Sequence, residues 1–201
     1  VPRSALEVEL GELGLDLSAS ARSKLAVYVR ELEHWSRVVN LTALRGRELL
    51  RRLVVEPIWI GRQLQISGTA ADVGSGNGSP AIPLSLTAPL TGFHLIEARA
   101  RRTAFLRHLV AQLDLKGVVR VHQGRLRDLV RNGFRVEAAD WITLQAVNPT
   151  ADLVDEMKAM AAPTTQVVWI TSGRSAPVST ATVVSVPGSN TQAIVFRLDQ
   201  F

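Results

Sequence analysis

The sequence has no cysteine, so disulfides, thiolate metal ligands and cysteine nucleophiles are excluded. That absence fits a reducing compartment, and a cytoplasmic location is expected. No run of 18 or more apolar residues occurs, which removes a transmembrane helix and any expected membrane partner. The first residues, with Pro2, Arg3, Glu7, Glu9 and Glu12, lack the apolar stretch of a signal peptide. Lysine is scarce: Lys24, Lys116 and Lys158 stand among 23 basic residues, the rest being arginine. His34, His94, His108 and His122 are far apart and show no metal-ligand spacing. No metal is expected, and these histidines read as structural or surface groups. Trp35, Trp59, Trp141 and Trp169 each lie in an apolar run and read as core.

What is present is enough for one compact α/β domain: 201 residues, 46% of them hydrophobic. The charge is uneven. Residues 1–139 carry 20 basic and 13 acidic groups, a net +7, and residues 140–201 carry 3 and 5, a net −2. A basic two-thirds beside a slightly acidic remainder points to a surface that attracts a polyanion such as a nucleic acid.

The chain opens with an all-helical lead of about 65 residues. A helix over 5–13 stops at Gly14. A longer helix from Ser18 carries Leu25, Val29, Leu32, Trp35 and Val39 on one stripe. A third spans about Arg47 to Leu64, with a kink or break at Pro57. The pattern then alternates. Strands are expected at 69–73, 93–97, 118–122, 141–144 and 166–170, with helices after the glycine-rich turn at 74–78 and over 99–113, 125–131 and 150–161. Val183–Val186 and Ala193–Phe196 flank Pro187-Gly188-Ser189-Asn190 and read as a hairpin. Alternation of this kind implies a doubly wound, largely parallel sheet. With its closing antiparallel hairpin the sheet is seven-stranded and Rossmann-like. The expected organisation is a helical extension at 1–66 packed on a core at 67–201, forming one structural domain.

The strongest chemical signal is the strand, glycine loop and helix at 69–88. Gly74, Gly76 and Gly78 allow close approach of a ligand and positive φ, and ligands in such sheets sit beyond the carboxyl ends of the strands. Glu97 ends the second strand 21 residues after Gly76, where a carboxylate can accept hydrogen bonds from both hydroxyls of a ribose. Asp72 is a candidate contact to a cofactor amino group, or a tie for the loop. The loop reads G-x-G-x-G, with Ser79 where a dinucleotide fingerprint has its third glycine, and this spacing suits S-adenosylmethionine better than a nicotinamide cofactor.

Three segments carry a sharper likeness. Asp72-Val73-Gly74-Ser75-Gly76-Asn77-Gly78-Ser79-Pro80-Ala81-Ile82-Pro83, Trp35-Ser36-Arg37-Val38-Val39-Asn40-Leu41-Thr42-Ala43 and Arg101-Arg102-Thr103-Ala104-Phe105-Leu106 resemble, in order and spacing, the RsmG (GidB) family of ribosomal RNA guanine-N7 methyltransferases. The resemblance spans nearly the whole chain. It implies transfer of a methyl group from S-adenosylmethionine to N7 of a guanine in 16S ribosomal RNA, with that RNA or a small-subunit precursor as partner and a monomer as the expected state. By position it implies cofactor contacts at Gly74, Ser79, Glu97, Ala98, Arg99, Leu126, Arg127 and Gln145. The chain departs from the family at several of these. Ser79 replaces an aromatic, Leu126-Arg127 a small residue followed by an acid, and Gln145 an arginine. Ser36 replaces an asparagine, and Leu53, Glu56 and Pro57 stand for histidine, aspartate and serine. Thr171-Ser172-Gly173 lacks a lysine before its glycine. A relative that keeps the fold with weakened, altered or lost methylation is therefore the first alternative. A nicotinamide-dependent oxidoreductase and a purely RNA-binding module are two others, the latter having no need of the glycine loop.

Guanine N7 carries a lone pair and no proton, so no catalytic acid or base is expected, only positioning. Arg45, Arg47, Arg51, Arg52 and Arg62 in the lead, and Arg99, Arg101, Arg102 and Arg107 in the second core helix, are candidates for an RNA face. Among them Arg45, Arg47, Arg51, Arg52, Arg101 and Arg102 are the leading RNA-binding residues.

Overall fold

The structure, a computed structural model, describes residues 3–136 and 139–201. Val1 and Pro2, where the expected helical extension begins, lie outside the described residues, as do Glu137 and Ala138.

The helical lead holds α1 (Arg3–Glu12), α2 (Ala19–Trp35), α3 (Gly46–Leu50) and α4 (Glu56–Gln63). Ser18 caps α2 by accepting the Ala21 N–H at 3.1 Å. The face of α2 bearing Ala21, Leu25, Tyr28, Val29 and Leu32 is buried. Val39 falls beyond the helix, which stops at Trp35. Of the kink or break expected at Pro57, the chain shows no break but an interruption of the α-helix just before it. A π-helical turn at Arg51–Val55 joins α3 to α4, and the Glu56 N–H reaches back to the Arg51 carbonyl. Pro57 thereby falls in the first turn of α4, where its missing N–H costs nothing.

Seven strands follow: β1 (Gly68–Val73), β2 (Leu90–Glu97), β3 (Val119–Gln123), β4 (Trp141–Gln145), β5 (Gln166–Ser172), β6 (Thr182–Ser185) and β7 (Thr191–Arg197). They form one sheet in the order β3-β2-β1-β4-β5-β7-β6. The first five are parallel, and β7 enters antiparallel between β5 and β6. The interleaved helices are α5 (Ala81–Thr87), α6 (Ala100–Gln112), α7 (Leu126–Arg131) and α8 (Ala151–Met160). This is the doubly wound, seven-stranded arrangement read from the sequence, with its closing hairpin.

Apolar residues cover both faces of the sheet. On one face Leu25, Tyr28 and Leu32 of the lead share a continuous core with Phe93, Phe105 and Leu109. On the other, Val154, Met157 and Met160 of α8 pack with Ile142, Leu144 and Phe196. Strand order reverses between β1 and β4, so a crevice opens where their carboxyl ends diverge. Among the described residues no helix is long and apolar enough to cross a membrane.

Candidate active site

The chain turns out of β1 at Val73 into three left-handed glycines: φ is +81° at Gly74, +46° at Gly76 and +90° at Gly78. The amides of Gly74 and Ser75 both donate to the Ile96 carbonyl, at 2.9 and 3.1 Å. A Cβ on Gly74 would lie 2.7 Å from the Val147 side chain, and one on Gly78 would lie 2.9 Å from Ile82. Gly74 therefore keeps the crevice open, while Gly78 lets α5 and α6 pack beneath the loop. From the far side the Tyr28 hydroxyl donates to the Asn77 carbonyl at 3.1 Å.

Glu97 binds the loop from β2. Its Oε2 accepts the Gly76 N–H at 2.9 Å and its Oε1 accepts the Arg99 N–H at 2.7 Å. The carboxylate is buried, and each oxygen keeps a lone pair that a ribose hydroxyl can meet.

Asp72 sits behind the loop and does not line the crevice. Its Oδ1 accepts the Thr143 hydroxyl at 2.6 Å, and its main-chain oxygen accepts the Ser75 hydroxyl. The other carboxylate oxygen is buried without a hydrogen-bond partner. Burial, reinforced by the charge of Glu97, pushes this carboxyl up to about 7 against the pull of the Thr143 bond. Of the two readings of Asp72, the geometry is that of the tie. Burial and Asp72 together push the Tyr28 phenol well above its usual range.

The crevice itself is a cleft of about 520 Å³. Gly74–Asn77 and Ser79 form its floor. One wall is the strap after α2, with Leu41, Thr42 and Leu44, continued by Arg52 and Leu53 of the π-helical turn. The opposite wall comes from the ends of β4 and β5, with Gln145 to Val147 and Ile170 to Ser172. Gln145 joins floor to wall: its Oε1 accepts the Ser79 hydroxyl at 2.7 Å and its Nε2 donates to the Arg52 carbonyl at 3.3 Å. Ala146 holds φ +59°, uncommon for a residue with a side chain and often found where a site constrains the backbone.

The structure thus brings Gly74, Gly76, Ser79, Gln145, Arg52 and Arg102 to one cleft, with Glu97 and Asp72 directly behind its floor. Ala98 and Arg99 are exposed beyond the end of β2. Leu126 is buried in the core under α7, and Arg127 faces Glu156 at 3.9 Å. Neither lines the cleft. The strap residues Leu41 and Thr42 lie in a segment the sequence singles out without giving it a role, whereas nothing in the sequence marks Leu44 or Ala146.

The arginines divide. Arg47 pairs with Glu9 at 2.5 Å and Glu12 at 2.6 Å. Arg51 donates to the Pro187 carbonyl at 2.8 Å and to Glu12 at 3.2 Å, with buried Glu9 and Glu56 at 3.7 and 3.6 Å. Of the arginines expected on an RNA face, these two are engaged by carboxylates that α1 supplies. Arg45 donates to the carbonyls of Thr42 and Leu44 in its own strap, and Arg62 to that of Asp16. Arg101 is exposed, and Arg102 donates to the Asn40 carbonyl at 2.8 Å.

The histidines, scattered along the sequence, are partly gathered by strand pairing. His94 Nδ1 and His122 Nε2 lie 3.1 Å apart with stacked rings against Phe134. Burial, and then His122 and Arg120, pull His94 down to about 4. Trp141 and Trp169 are buried and Trp35 packs on Phe105, so the tryptophans serve the core.

Comparison with known proteins adds an independent line. Residues 21–178 match the family described as "GidB: rRNA small subunit methyltransferase G". The ribosomal RNA small subunit methyltransferase G of Halorhodospira halophila is 35% identical over 164 residues, covering 81% of this chain and 75% of that protein. The enzyme of that name from Neisseria meningitidis serogroup B is 33% identical over 149 residues, covering 70% and 72%. Among solved structures, a methyltransferase from Geobacter sulfurreducens superposes with a TM-score of 0.61 over 96% of both chains at 15% identity, a likeness of fold.

Proposed function

The chain belongs to the rRNA small subunit methyltransferase G family, and from that premise we infer that it methylates N7 of a guanine in 16S ribosomal RNA with S-adenosylmethionine as donor, in the cleft above the glycine loop. The observation that carries the cleft assignment is the Glu97 carboxylate, fixed by the amides of Gly76 in the loop and Arg99 after β2, behind a floor where Gly74 and Gly76 take left-handed φ.

The residues present fit the donor. Gly74 and Gly76 leave the floor free of side chains. Glu97, directly behind that floor, has acceptor capacity left for a ribose diol, and Asn77, Ser79 and Gln145 offer polar groups toward the cleft. The bound donor supplies an electrophilic methyl on a sulfonium. The chain does the rest by position. N7 has a lone pair and no proton, so no side chain has to act as a base, and the cleft needs only to hold N7 within about 3–3.5 Å of the methyl, in line with the leaving sulfur. Leu41, Leu44 and Leu53 give an apolar wall against which a purine can lie, and Thr42, Arg52 and Gln145 give donors for its O6. Because N7 faces the deep, narrow groove of A-form RNA, the target guanine enters from a loop or after extrusion from its stack.

A second reading, weakened methylation, is favoured by one region. After β3 the chain presents buried Leu126 and the Glu156-facing Arg127, so that side of the cofactor meets no acidic acceptor from these positions. Calorimetry with S-adenosylmethionine separates the two. Micromolar binding with one site per chain is expected, and binding that is millimolar or absent would establish the weakened form.

A further inference from the structure

Across Arg102 from the cleft lies a smaller groove of about 300 Å³, lined by Val38, Val39, Asn40, Arg99, Arg101 and Arg102. It forms where the turn after α2 meets the first turn of α6. Val38 is 73% exposed, the largest value among the exposed large apolar residues. Arg99 and Arg101 are exposed, and among the described residues neither pairs with a carboxylate. The first turn of α6 carries no acid. Arg102 stands between groove and cleft. Its Nη2 donates to the Asn40 carbonyl, and its Nη1 is 3.5 Å from where a side chain on Gly76 would begin.

We propose that this groove is a subsite for the RNA segment adjoining the methylated guanine. Arg99 and Arg101 hold phosphate oxygens, Val38 packs on an unstacked base or its ribose, and Arg102 marks where the strand bends from groove into cleft. The proposal rests on the reading of the cleft as the place of methyl transfer. A guanine whose N7 is presented to a donor has left its stack, and the nucleotides beside it are single-stranded at that point. Such a segment needs its phosphates neutralised and its exposed faces covered. Planar guanidinium forks suit the first task, and an apolar side chain standing in solvent suits the second. The groove supplies both, Val38 from the turn after α2 and the arginines from the start of α6, at the rim of the cleft. Arg47 and Arg51 of the lead are less available, since a phosphate approaching either has to displace Glu9, Glu12 or Glu56.

The test is a salt titration of binding to a 16S RNA fragment by wild type, an Arg99→Ala/Arg101→Ala double variant, Val38→Asp, and a control, Arg131→Ala/Lys158→Ala, on α7 and α8 across the sheet. All substituted side chains are exposed, so folding is retained. The double variant should lower the slope of log K against log salt by about 1.4, roughly 0.7 for each single-strand phosphate that is no longer neutralised. Val38→Asp should weaken binding, the control should leave the slope as it was, and S-adenosylmethionine affinity should be unchanged in Val38→Asp and in the control. A double variant with the wild-type slope would overturn the proposal, as would an equal fall in the control. So would loss of S-adenosylmethionine binding in Val38→Asp, which would give the groove to the cofactor. A wild-type protein that binds RNA with the expected slope change but transfers no methyl group overturns the cleft reading and leaves the groove standing as an RNA surface.

Discussion

Arg47 and Arg51 on the helical lead are held among Glu9, Glu12 and Glu56, whereas Arg99 and Arg101 at the start of α6 face no carboxylate among the described residues. In the sequence the two pairs look alike, as closely spaced arginines in a basic stretch. The acids that separate them come from elsewhere. Glu9 and Glu12 arrive from α1, and Glu56 is turned back by the π-helical segment. Position along the chain therefore says little about what an arginine does, and the burial of its neighbours says much. Glu9 is 2% exposed and Glu56 1%. A cation beside buried carboxylates belongs to folding, and its loss is read by unfolding. A cation in water beside a cleft belongs to recognition, and its loss is read by salt-dependent binding.

The largest expected effect breaks the first half of that contrast. Arg51→Ala leaves Glu9 and Glu56 buried with less compensation and removes the bond to Pro187, so stability should fall by about 3–5 kcal/mol in urea unfolding. A loss within about 0.5 kcal/mol, the ordinary surface value, would put Arg51 with the free arginines.

Next comes Asp72, a buried carboxyl that also belongs to folding. Its carboxyl is raised to about 7 in the fold, against about 3.9 when unfolded. Between these values the folded protein keeps a proton that the unfolded chain releases. This group's contribution is therefore fully present below about pH 4 and lost as pH rises to about 7, by a few kcal/mol. Asp72→Asn, which keeps an acceptor for Thr143, should remove that loss, and the difference between the two unfolding profiles from pH 4 to 7 measures it. His94, pulled down to about 4, acts with the opposite sign in an overlapping window, its contribution being lost as pH falls below about 6.5. The difference against Asp72→Asn cancels it.

A smaller effect lies in the cleft. Gly74→Ala places a Cβ 2.7 Å from Val147 at φ +81°, with a stability cost of about 1–2 kcal/mol. S-adenosylmethionine affinity should drop by more than that destabilisation explains, as read by calorimetry at a temperature where the variant is folded. The smallest is on the rim: Arg101→Ala should change stability by no more than about 0.5 kcal/mol in the same urea experiment.

Much of the fold is legible in the sequence because strand and helix periods alternate cleanly and Gly74, Gly76 and Gly78 punctuate the first crossover. β2 is longer than its apolar run suggests. Leu90 and Gly92 pair with Gly68 and Thr69 in the sheet, and a stretch with Thr91 and Gly92 carries no strand signal of its own. The π-helical turn is hidden for a similar reason: Pro57 announces an interruption, but only tertiary packing decides whether the helix breaks or widens. In the site, the glycine floor and Glu97 are legible because their chemistry depends on spacing along the chain. The bond from Ser79 to Gln145, 66 residues apart, the capture of Arg47 by Glu12 and of Arg51 by Pro187, 35 and 136 residues apart, and the positive φ of Ala146 depend on distant partners or on local strain, which no short motif records.

The most direct test is to incubate the protein with methyl-labelled S-adenosylmethionine and 16S ribosomal RNA, digest the RNA to nucleosides and find the label by mass spectrometry. The account predicts label in 7-methylguanosine, abolished when Glu97 is replaced by alanine. Label in a different nucleoside, or none from a folded protein that binds both partners, would contradict it.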